Sequence, residues 1–133
     1  MSQENVETAR RGYEHFIATG DVLAEVFDPE FILDMSKFRD WPERREYYGV
    51  QGFRDFLRDW LEPWDEYEFQ LQELREVGDK VLVLARQAGS SHASGVRVEM
   101  EVAHVLTYHR GKSIRMEIYA SPHDGLQAVG LRE

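Results

Sequence analysis

The sequence predicts an α+β fold in which three N-terminal helices pack against a strongly curved, mainly antiparallel sheet, with a short helix after the last strand. Two observations predict this fold. Apolar residues recur at helical spacing in the first half of the chain, and they alternate with period two from Tyr67 onward. A meander that follows helices must curl round them to cover their apolar faces. No repeat or linker divides the chain, so we expect one domain over residues 1–133.

The first two helices are predicted from apolar spacing and from residues that start and stop helices. Helix one is expected over residues 3–19, with Ser2 as its N-cap and Gly20 as its stop. Asp21 is expected to cap a short second helix. This second helix should end at Asp28-Pro29, because proline cannot continue a helix.

The third helix follows a short strand and a polar, aromatic connection. The strand is predicted over residues 31–35, and Gly49 then opens the helix. One face of this helix is apolar along its whole length and is formed by Val50, Phe53, Phe56, Leu57, Trp60, Leu61 and Trp64. Its tryptophans either line a pocket or fasten the helix to the sheet.

The second half of the chain is predicted to form a four-strand antiparallel meander and one short helix. The strands are expected over residues 67–77, 80–89, 95–109 and 112–120. Short turns at Gly78-Asp79 and Arg110-Gly111 join two pairs of them. Ser121-Pro122 predicts the capped start of the last helix, which ends at Gly130.

The second strand of this meander is apolar on both of its stripes. Val81, Val83 and Ala85 alternate along it with Leu82 and Leu84. One face of the sheet must therefore meet the helices, and the other face also needs a cover. The simplest cover is a second copy of the chain, so we expect a homodimer.

Composition excludes several classes of function. The chain has 16 basic and 25 acidic residues and a formal charge of −9, which argues against nucleic acid and against an anionic membrane surface as partners. It has no cysteine, so disulfides, thiol catalysis and thiolate metal sites are excluded. No signal-like start and no bilayer-length apolar run is present, and we expect a cytoplasmic protein.

A single imidazole on an apolar stripe is the best candidate site residue. The stripe runs along the third strand and is formed by Val96, Val98, Met100, Val102, His104, Leu106 and Tyr108. His104 is either a core histidine bonded to Tyr13 or Tyr119, or the polar group of a ligand pocket. In an apolar cavity it would be neutral and able to donate or to accept a hydrogen bond.

Four motifs, taken in their order and spacing, resemble one known family. They are Tyr13 ahead of Gly20-Asp21, the Phe27-Asp28-Pro29 segment, the Tyr48–Gly52 segment that opens a helix with Trp60 and Trp64, and the Val102–Thr107 segment followed by Gly111-Lys112. Together, from about residue 3 to Leu131, they resemble the SnoaL-like, polyketide cyclase-like branch of the nuclear transport factor 2-like superfamily. The resemblance implies a cone-shaped, cystatin-like α+β roll around one pocket, usually in a dimer. It implies no single activity, because members include isomerases, cyclases, epoxide hydrolases, dehydratases and proteins that only bind.

The similar ketosteroid isomerases imply three site positions. Tyr13 matches the helix-one tyrosine that donates to the substrate oxygen. His104 falls where those enzymes have a second donor, a carboxylic acid. Met35 falls at the position of the general base, with Asp34 beside it on the opposite face.

The similar limonene epoxide hydrolases imply a different acid–base set. Ile118 falls near their acidic residue in the last strand, with Glu117 next to it. Arg86 matches their arginine, but Ala88 stands where they have an aspartate. Neither family's catalytic set is complete in this chain.

The remaining pocket candidates are residues that the predicted elements bring near His104. We expect His104 and Tyr13 to share a pocket with Met35, Trp41, Trp60, Trp64, Arg86, Val102, Met116 and Ile118. Two alternatives stay open. Arg86 either holds an acidic ligand or pairs with Glu101, and Asp34 is either a solvated strand carboxylate or the missing base.

Two functions from different classes follow from these residues. The first is a protein that binds a small hydrophobic ligand in a pocket without catalysis. The alternative is a cofactor-free isomerase, cyclase or hydrolase that acts on a carbonyl or hydroxyl compound through His104 and Tyr13. No nucleotide motif is present and the five histidines show no metal-ligand spacing, so we expect neither a cofactor nor a metal ion.

Overall fold

The computed structural model describes residues 3–131. Its helices are α1 (Gln3–Thr19), α2 (Gly49–Leu61) and α3 (Pro122–Ala128), with a 3₁₀ turn at Ala24–Val26. Its strands are β1 (Phe27–Asp34), β2 (Glu46–Tyr48), β3 (Trp64–Val77), β4 (Lys80–Ser91), β5 (Arg97–His109) and β6 (Lys112–Tyr119). Helices and sheet therefore form the mixed α+β fold that the sequence predicts.

The first predicted helix is confirmed and the second is not. Helix α1 ends at Thr19, and Gly20 follows it with a φ of +79°, a conformation that glycine adopts without strain. The predicted second helix is only the three-residue 3₁₀ turn, and Asp21 does not cap it. The Asp21 carboxylate instead accepts from the N–H of its neighbour Val22 at 2.7 Å. The predicted N-cap Ser2 lies outside the described residues.

Two segments that were assigned to helices belong to strands. Trp64 begins β3 and does not extend α2, which ends at Leu61. The Asp28-Pro29 pair lies inside β1, where the pairing register shifts between Phe27 and Ile32. A proline is tolerated at such an irregular stretch because no ladder hydrogen bond is lost there.

The sheet has six strands in the order β2-β1-β6-β5-β4-β3. The predicted meander from β3 to β6 is confirmed, with antiparallel pairing throughout. Strand β1 adds parallel to β6, and the short β2 pairs antiparallel with β1 at the sheet edge. The sheet curves round the helices, since α1 contacts β3 and β4 at one end while α2 contacts β1 and β2 at the other.

The inner face of the sheet holds the main core, and α3 covers part of the outer face. The outer cluster is formed by Leu82, Ala103, Val105, Tyr119 and Leu126. A Cβ at Gly125 would collide with Ala103, so this glycine lets α3 lie close on β5. The cover that we expected a second copy to supply is thus supplied in part by the chain's own last helix. No helix within residues 3–131 is long and apolar enough to cross a bilayer.

Candidate functional site

A cavity lies between the inner face of the sheet and the two long helices. The space open to the centre of a water-sized sphere is about 70 Å³, which is room for on the order of five waters. Aromatic rings dominate its wall: Tyr13, Phe16, Phe27, Phe53, Phe56, Trp60, Tyr67, Phe69 and Tyr108. Within residues 3–131, the lining includes no Asp, Glu, Lys or Arg side chain. The cavity is therefore apolar and uncharged.

The cavity opens between α1 and α2. Half-buried lining residues on this side include Thr8, Gly12 and Phe16 on α1, Leu23 in the connection, and Phe53 and Leu57 on α2. The buried lining residues come from both helices as well as from strands β4, β5 and β6. A molecule that enters between α1 and α2 would meet the inner face of the sheet at the far end of the cavity.

Tyr13 and His104 form a hydrogen-bonded pair in the cavity wall. Tyr13 is on the buried face of α1 with Val6 and Ala9, and His104 is on the inner stripe of β5. The Tyr13 hydroxyl lies 2.6 Å from Nδ1 of His104. The Phe69 ring stacks on Tyr13 with centroids 5.7 Å apart and holds the phenol in place. His104 is thus bonded to Tyr13, as one alternative predicted, and it also lines the cavity, while a role in ligand binding stays a prediction.

Burial keeps this pair neutral. Desolvation lowers the pKa of His104 to about 4, so its charged form is absent near neutral pH. Burial, and then the nearby phenol of Tyr108, raise the pKa of Tyr13 well above its ordinary value. The pair therefore meets a ligand as a phenol and a neutral imidazole.

The hydrogen-bond pattern assigns the imidazole proton. Within residues 3–131 the Tyr13 hydroxyl has no acceptor other than Nδ1 of His104, and we assign it as the donor because the opposite tautomer would leave the phenol proton unpaired. A neutral imidazole then carries its proton on Nε2, which has no partner in the described chain. This N–H is a donor for a ligand oxygen. As a base the ring is weak, because a pKa of about 4 is far from the operating pH that favours general-base catalysis.

A second polar group in the wall was missed by the sequence analysis. Gln87 on β4 lines the cavity, and its Oε1 accepts from Nε1 of Trp60 at 2.8 Å and from the hydroxyl of Tyr67. The signal was present, because Gln87 continues the stripe of Val81, Val83 and Ala85. It was obscured since the other stripe of β4 is apolar as well, so the inner face of this strand was not apparent.

Tyr108 is a third polar group in the wall that sequence reasoning left without a role. Its side chain is buried, and burial raises the pKa of its phenol well above the ordinary value. It lines the cavity two positions beyond Leu106 on the same stripe as His104. Its hydroxyl has no hydrogen-bond partner within residues 3–131.

The other predicted pocket residues divide into two groups. Trp60, Met116 and Ile118 line the cavity with Tyr13 and His104. The remaining five do not, and they are Met35, Trp41, Trp64, Arg86 and Val102.

Four of these five are apolar residues that pack elsewhere. Met35 and Val102 are fully buried in the protein interior. Trp41 packs on the Trp60 ring with centroids 5.5 Å apart, behind the cavity wall. Trp64, at the start of β3, lines a smaller depression next to Trp60. Rings from α1, α2 and β3 form most of the cavity wall, so Trp41, which is in the long connection between β1 and β2, lies outside it.

Arg86 lies on the outer face of the sheet, so its assignment to the pocket was wrong. Val83 pairs opposite His104, which turns the odd-numbered residues of this part of β4 inward and the even-numbered ones outward. The Arg86 side chain is 38% exposed and forms an ion pair with Glu99. Neither predicted role holds, since it reaches neither the cavity nor Glu101.

Asp34 also faces outward, but it is not solvated as one alternative proposed. It is 2% exposed and accepts from Arg115 at 2.6 Å and from the N–H of Ser36 at 2.8 Å. Burial acts to raise its pKa, but hydrogen bonds from Ser36 and Arg115 outweigh that effect and hold the pKa below its usual value. Glu117 lies beside it, 3.7 Å from Nε of Arg115. No carboxylate of the described chain therefore reaches the cavity.

Within residues 3–131, no group of three His, Asp or Glu side chains is arranged to hold a metal ion.

Residues 9–116 match the sequence model of the SnoaL-like domain. The chain belongs to the SnoaL-like domain family. The uncharged polar groups of this SnoaL-like protein line the cavity between the sheet and the helices. Its sequence has no significant similarity to any protein of curated function.

Solved structures of the same fold cover most of the chain. A putative SnoaL-like polyketide cyclase from Jannaschia sp. CCS1 is 21% identical, with a TM-score of 0.71 over 89% of this chain and 85% of that one. An NTF2-like protein from Burkholderia thailandensis is 27% identical, with a TM-score of 0.67 over 88% and 87%. TerC co-crystallised with polyporic acid is 19% identical, with a TM-score of 0.74 over 95% and 98%. These similarities establish the NTF2-like fold.

Proposed function

We propose that this SnoaL-like protein binds a small, uncharged, hydrophobic molecule that carries an oxygen acceptor. The observation that carries the proposal is that His104 lines an apolar cavity and has an Nε2 edge with no partner within residues 3–131, while Tyr13 occupies its Nδ1. A carbonyl oxygen would accept from this edge while the rest of the molecule packs against the aromatic wall. The co-crystallisation of TerC with polyporic acid supports ligand binding by a fold of this kind.

Charge and size narrow the ligand class. An ionised ligand would lose its hydration in a wall that offers no counter-charge, which is strongly unfavourable. The space of about 70 Å³ suits a molecule with one ring and a few substituents.

A titration with two isosteric probes tests this proposal. The probes are 4-isopropylacetophenone, which has one carbonyl, and 1,4-diisopropylbenzene, which has none. We expect the wild type to bind the ketone about tenfold more tightly than the hydrocarbon, since one hydrogen bond in a desolvated site is worth up to about 1.4 kcal/mol. The fluorescence of Trp60 in the cavity wall reports binding.

Variants of two histidines on β5 provide a matched pair. His104→Leu should remove the preference for the ketone, whereas His109→Leu, at an exposed position of the same strand, should retain it. If neither probe binds the wild type, the proposal is wrong. Retention of the ketone preference by His104→Leu would show that the histidine does not contact the ligand.

The second candidate is a cofactor-free isomerase, cyclase or hydrolase. It is favoured by one observation, the approach of three polar groups from Tyr13, His104 and Tyr108 to one part of the wall. Such groups can stabilise negative charge on a carbonyl oxygen. The candidate requires the opposite tautomer, in which Nδ1–H donates to Tyr13 and Nε2 accepts a proton from substrate, despite the low pKa of His104.

Hydrogen–deuterium exchange distinguishes the two candidates. If His104 acts as a base, the acetyl methyl protons of 4-isopropylacetophenone should exchange in D₂O faster with the wild-type protein than in buffer alone. With His104→Leu the exchange should not be faster than in buffer. Proton NMR measures the loss of the methyl signal. Equal rates with and without the wild-type protein would leave binding as the function.

A homodimer remains our proposal for the assembly. The outer face that α3 leaves open carries Leu84 beside the Arg86–Glu99 ion pair, so its cover would be a polar interface. Sedimentation at micromolar concentration should give about twice the 15.6 kDa chain mass. A strictly monomeric species would contradict the proposal.

A further inference from the structure

Gln87 is a buried polar side chain with half of its amide unused. It is 6% exposed and lines the same cavity as His104. Both of its hydrogen bonds in the described chain end at Oε1. Its amide nitrogen donates to no residue within 3–131. This nitrogen is not fully enclosed by protein atoms, since Nε1 of Trp41 is the one fully buried side-chain nitrogen or oxygen without a partner in the described chain, and at a cavity wall it is a donor available to a ligand.

Trp60 determines which way this amide points. An indole N–H can only donate, so the atom that faces Trp60 must be the oxygen of Gln87. The hydroxyl of Tyr67 donates to the same oxygen in this orientation. Trp60 and Tyr67 therefore hold the amide plane in place and leave the NH₂ group for another acceptor.

Gln87 and His104 lie at different ends of the cavity. His104 pairs opposite Val83 on β4, and Gln87 is four residues farther along that strand, about 13 Å at the usual rise. One aromatic ring is close to both, since the centroids of the Phe69 and His104 rings are 6.2 Å apart. Phe69 pairs opposite Gln87 on β3 and stacks on Tyr13, the partner of His104. A flat ring that lies against Phe69 reaches both ends.

We propose that the Gln87 amide is a second binding subsite, and that the ligand is an uncharged aromatic ring with a hydrogen-bond acceptor at each end. One acceptor takes the N–H of His104 and the other takes the NH₂ of Gln87. The inference rests on the proposed function and deepens it by naming the ligand class. Both polar ends offer donors, so a ligand with two carbonyl groups matches the site better than one with two hydroxyl groups.

Three probes of nearly equal shape test the second subsite. They are 1,4-diacetylbenzene with two carbonyls, 4-isopropylacetophenone with one, and 4-acetylbenzoate, which carries a charge. The wild type is expected to bind the diketone about tenfold more tightly than the monoketone, because one further hydrogen bond is made. The benzoate is expected to bind at least about tenfold more weakly than the diketone, because its charge is desolvated without a partner.

Two substitutions at Gln87 remove the amide donor in different ways. Gln87→Glu keeps an oxygen for Trp60 and Tyr67 but removes the NH₂ group, and Gln87→Met removes all polar atoms at similar volume. In both variants the preference of the wild type for the diketone over the monoketone should be lost. Gln70→Glu is the matched control, since Gln70 is an exposed residue of β3 and takes the same change of charge.

NMR of the wild type gives a readout that does not depend on how the variants fold. The side-chain amide signal of Gln87 should shift when 1,4-diacetylbenzene is added and stay unchanged with the monoketone. Equal affinities of the wild type for the two ketones, or an unshifted amide, would overturn the second subsite and leave cavity binding in place. Tighter binding of the benzoate would overturn the uncharged ligand class. Failure of both ketones to bind would overturn the proposed function together with this inference.

Discussion

The Tyr13–His104 pair on the inner face of the sheet and the Asp34–Arg115 pair on the outer face have the same heavy-atom separation of 2.6 Å. They differ in charge and in how many of their polar atoms are used. The inner pair is neutral, and Nε2 of His104 faces a cavity. The outer pair is ionised, and both oxygens of Asp34 accept hydrogen bonds from protein groups.

The difference shows how burial alone fails to identify a functional group. Asp34 is more deeply buried than His104, at 2% against 7% exposed, yet its bonding capacity is fully used inside the protein. Fully satisfied charges of this kind organise structure. A buried group that retains one free donor toward a cavity has capacity left for a ligand. The predictions below test this division of the two pairs.

The largest effect is expected from Asp34→Ala. The substitution leaves the N–H of Ser36 without its acceptor and Arg115 with Glu117 as its remaining carboxylate partner, and it should lower the free energy of unfolding by about 3 kcal/mol. The value is at the low end for a buried pair because Arg115 remains about one third exposed. Urea unfolding measures it. Ketone binding by the folded variant should equal that of the wild type, and a loss of binding would contradict the purely structural role.

The next largest effect concerns pH and belongs to the inner pair. His104 has a pKa of about 4 in the folded protein, below its value of about 6.5 in an unfolded chain. Between these values the unfolded chain binds more protons, so the free energy of unfolding rises with pH. The contribution of His104 to the free energy of unfolding is complete above about pH 6.5 and is lost as the pH falls toward 4. The total loss is on the order of 3 kcal/mol.

The free energy of unfolding, measured with urea at several pH values from 4 to 7, should therefore rise less steeply with pH in His104→Leu than in the wild type. Asp34 contributes in the same direction, but its lowered pKa places its effect at more acidic pH. Identical slopes in the two proteins would mean that the histidine is not desolvated.

A smaller effect is expected from Tyr13→Phe. The variant leaves Nδ1 of His104 without its donor, so the free energy of unfolding should fall by about 1 kcal/mol. A double-mutant cycle with His104→Leu should give a coupling energy of about 1 kcal/mol, because the two side chains share one hydrogen bond. Additive effects would show that the 2.6 Å contact does not stabilise the fold.

The smallest effect is expected from Arg86→Ala on the outer face. Its ion pair with Glu99 is exposed on both sides, so the free energy of unfolding should change by less than about 1 kcal/mol. Binding of 4-isopropylacetophenone should not change. If binding weakened by about tenfold, Arg86 would have to reach the ligand and the inner and outer faces of β4 would need to be exchanged.

The candidate site was only partly predictable from the sequence. His104 and Tyr13 were found because a lone polar residue on an apolar stripe and a tyrosine on an apolar helix face are local signals. Gln87 was missed because both stripes of β4 are apolar and its inner face depends on the pairing with β5. Tyr108 was seen as a member of the stripe, but nothing local indicates that its hydroxyl lacks a partner.

The sequence by itself determined the bounds of α1, the start of α2 at Gly49 and the meander from β3 to β6. These elements depend on periodicity, helix stops and short turns, which act between residues close in the chain. Only the tertiary structure decided that β1 joins β6 in parallel, that Trp64 begins a strand and that Arg86 and Asp34 face away from the cavity. These features depend on pairing between distant segments, in which a shift of one residue turns a side chain from the core to the surface. The free donors of His104 and Gln87 are decided in the same way, because whether a polar atom has a partner depends on every element packed around it.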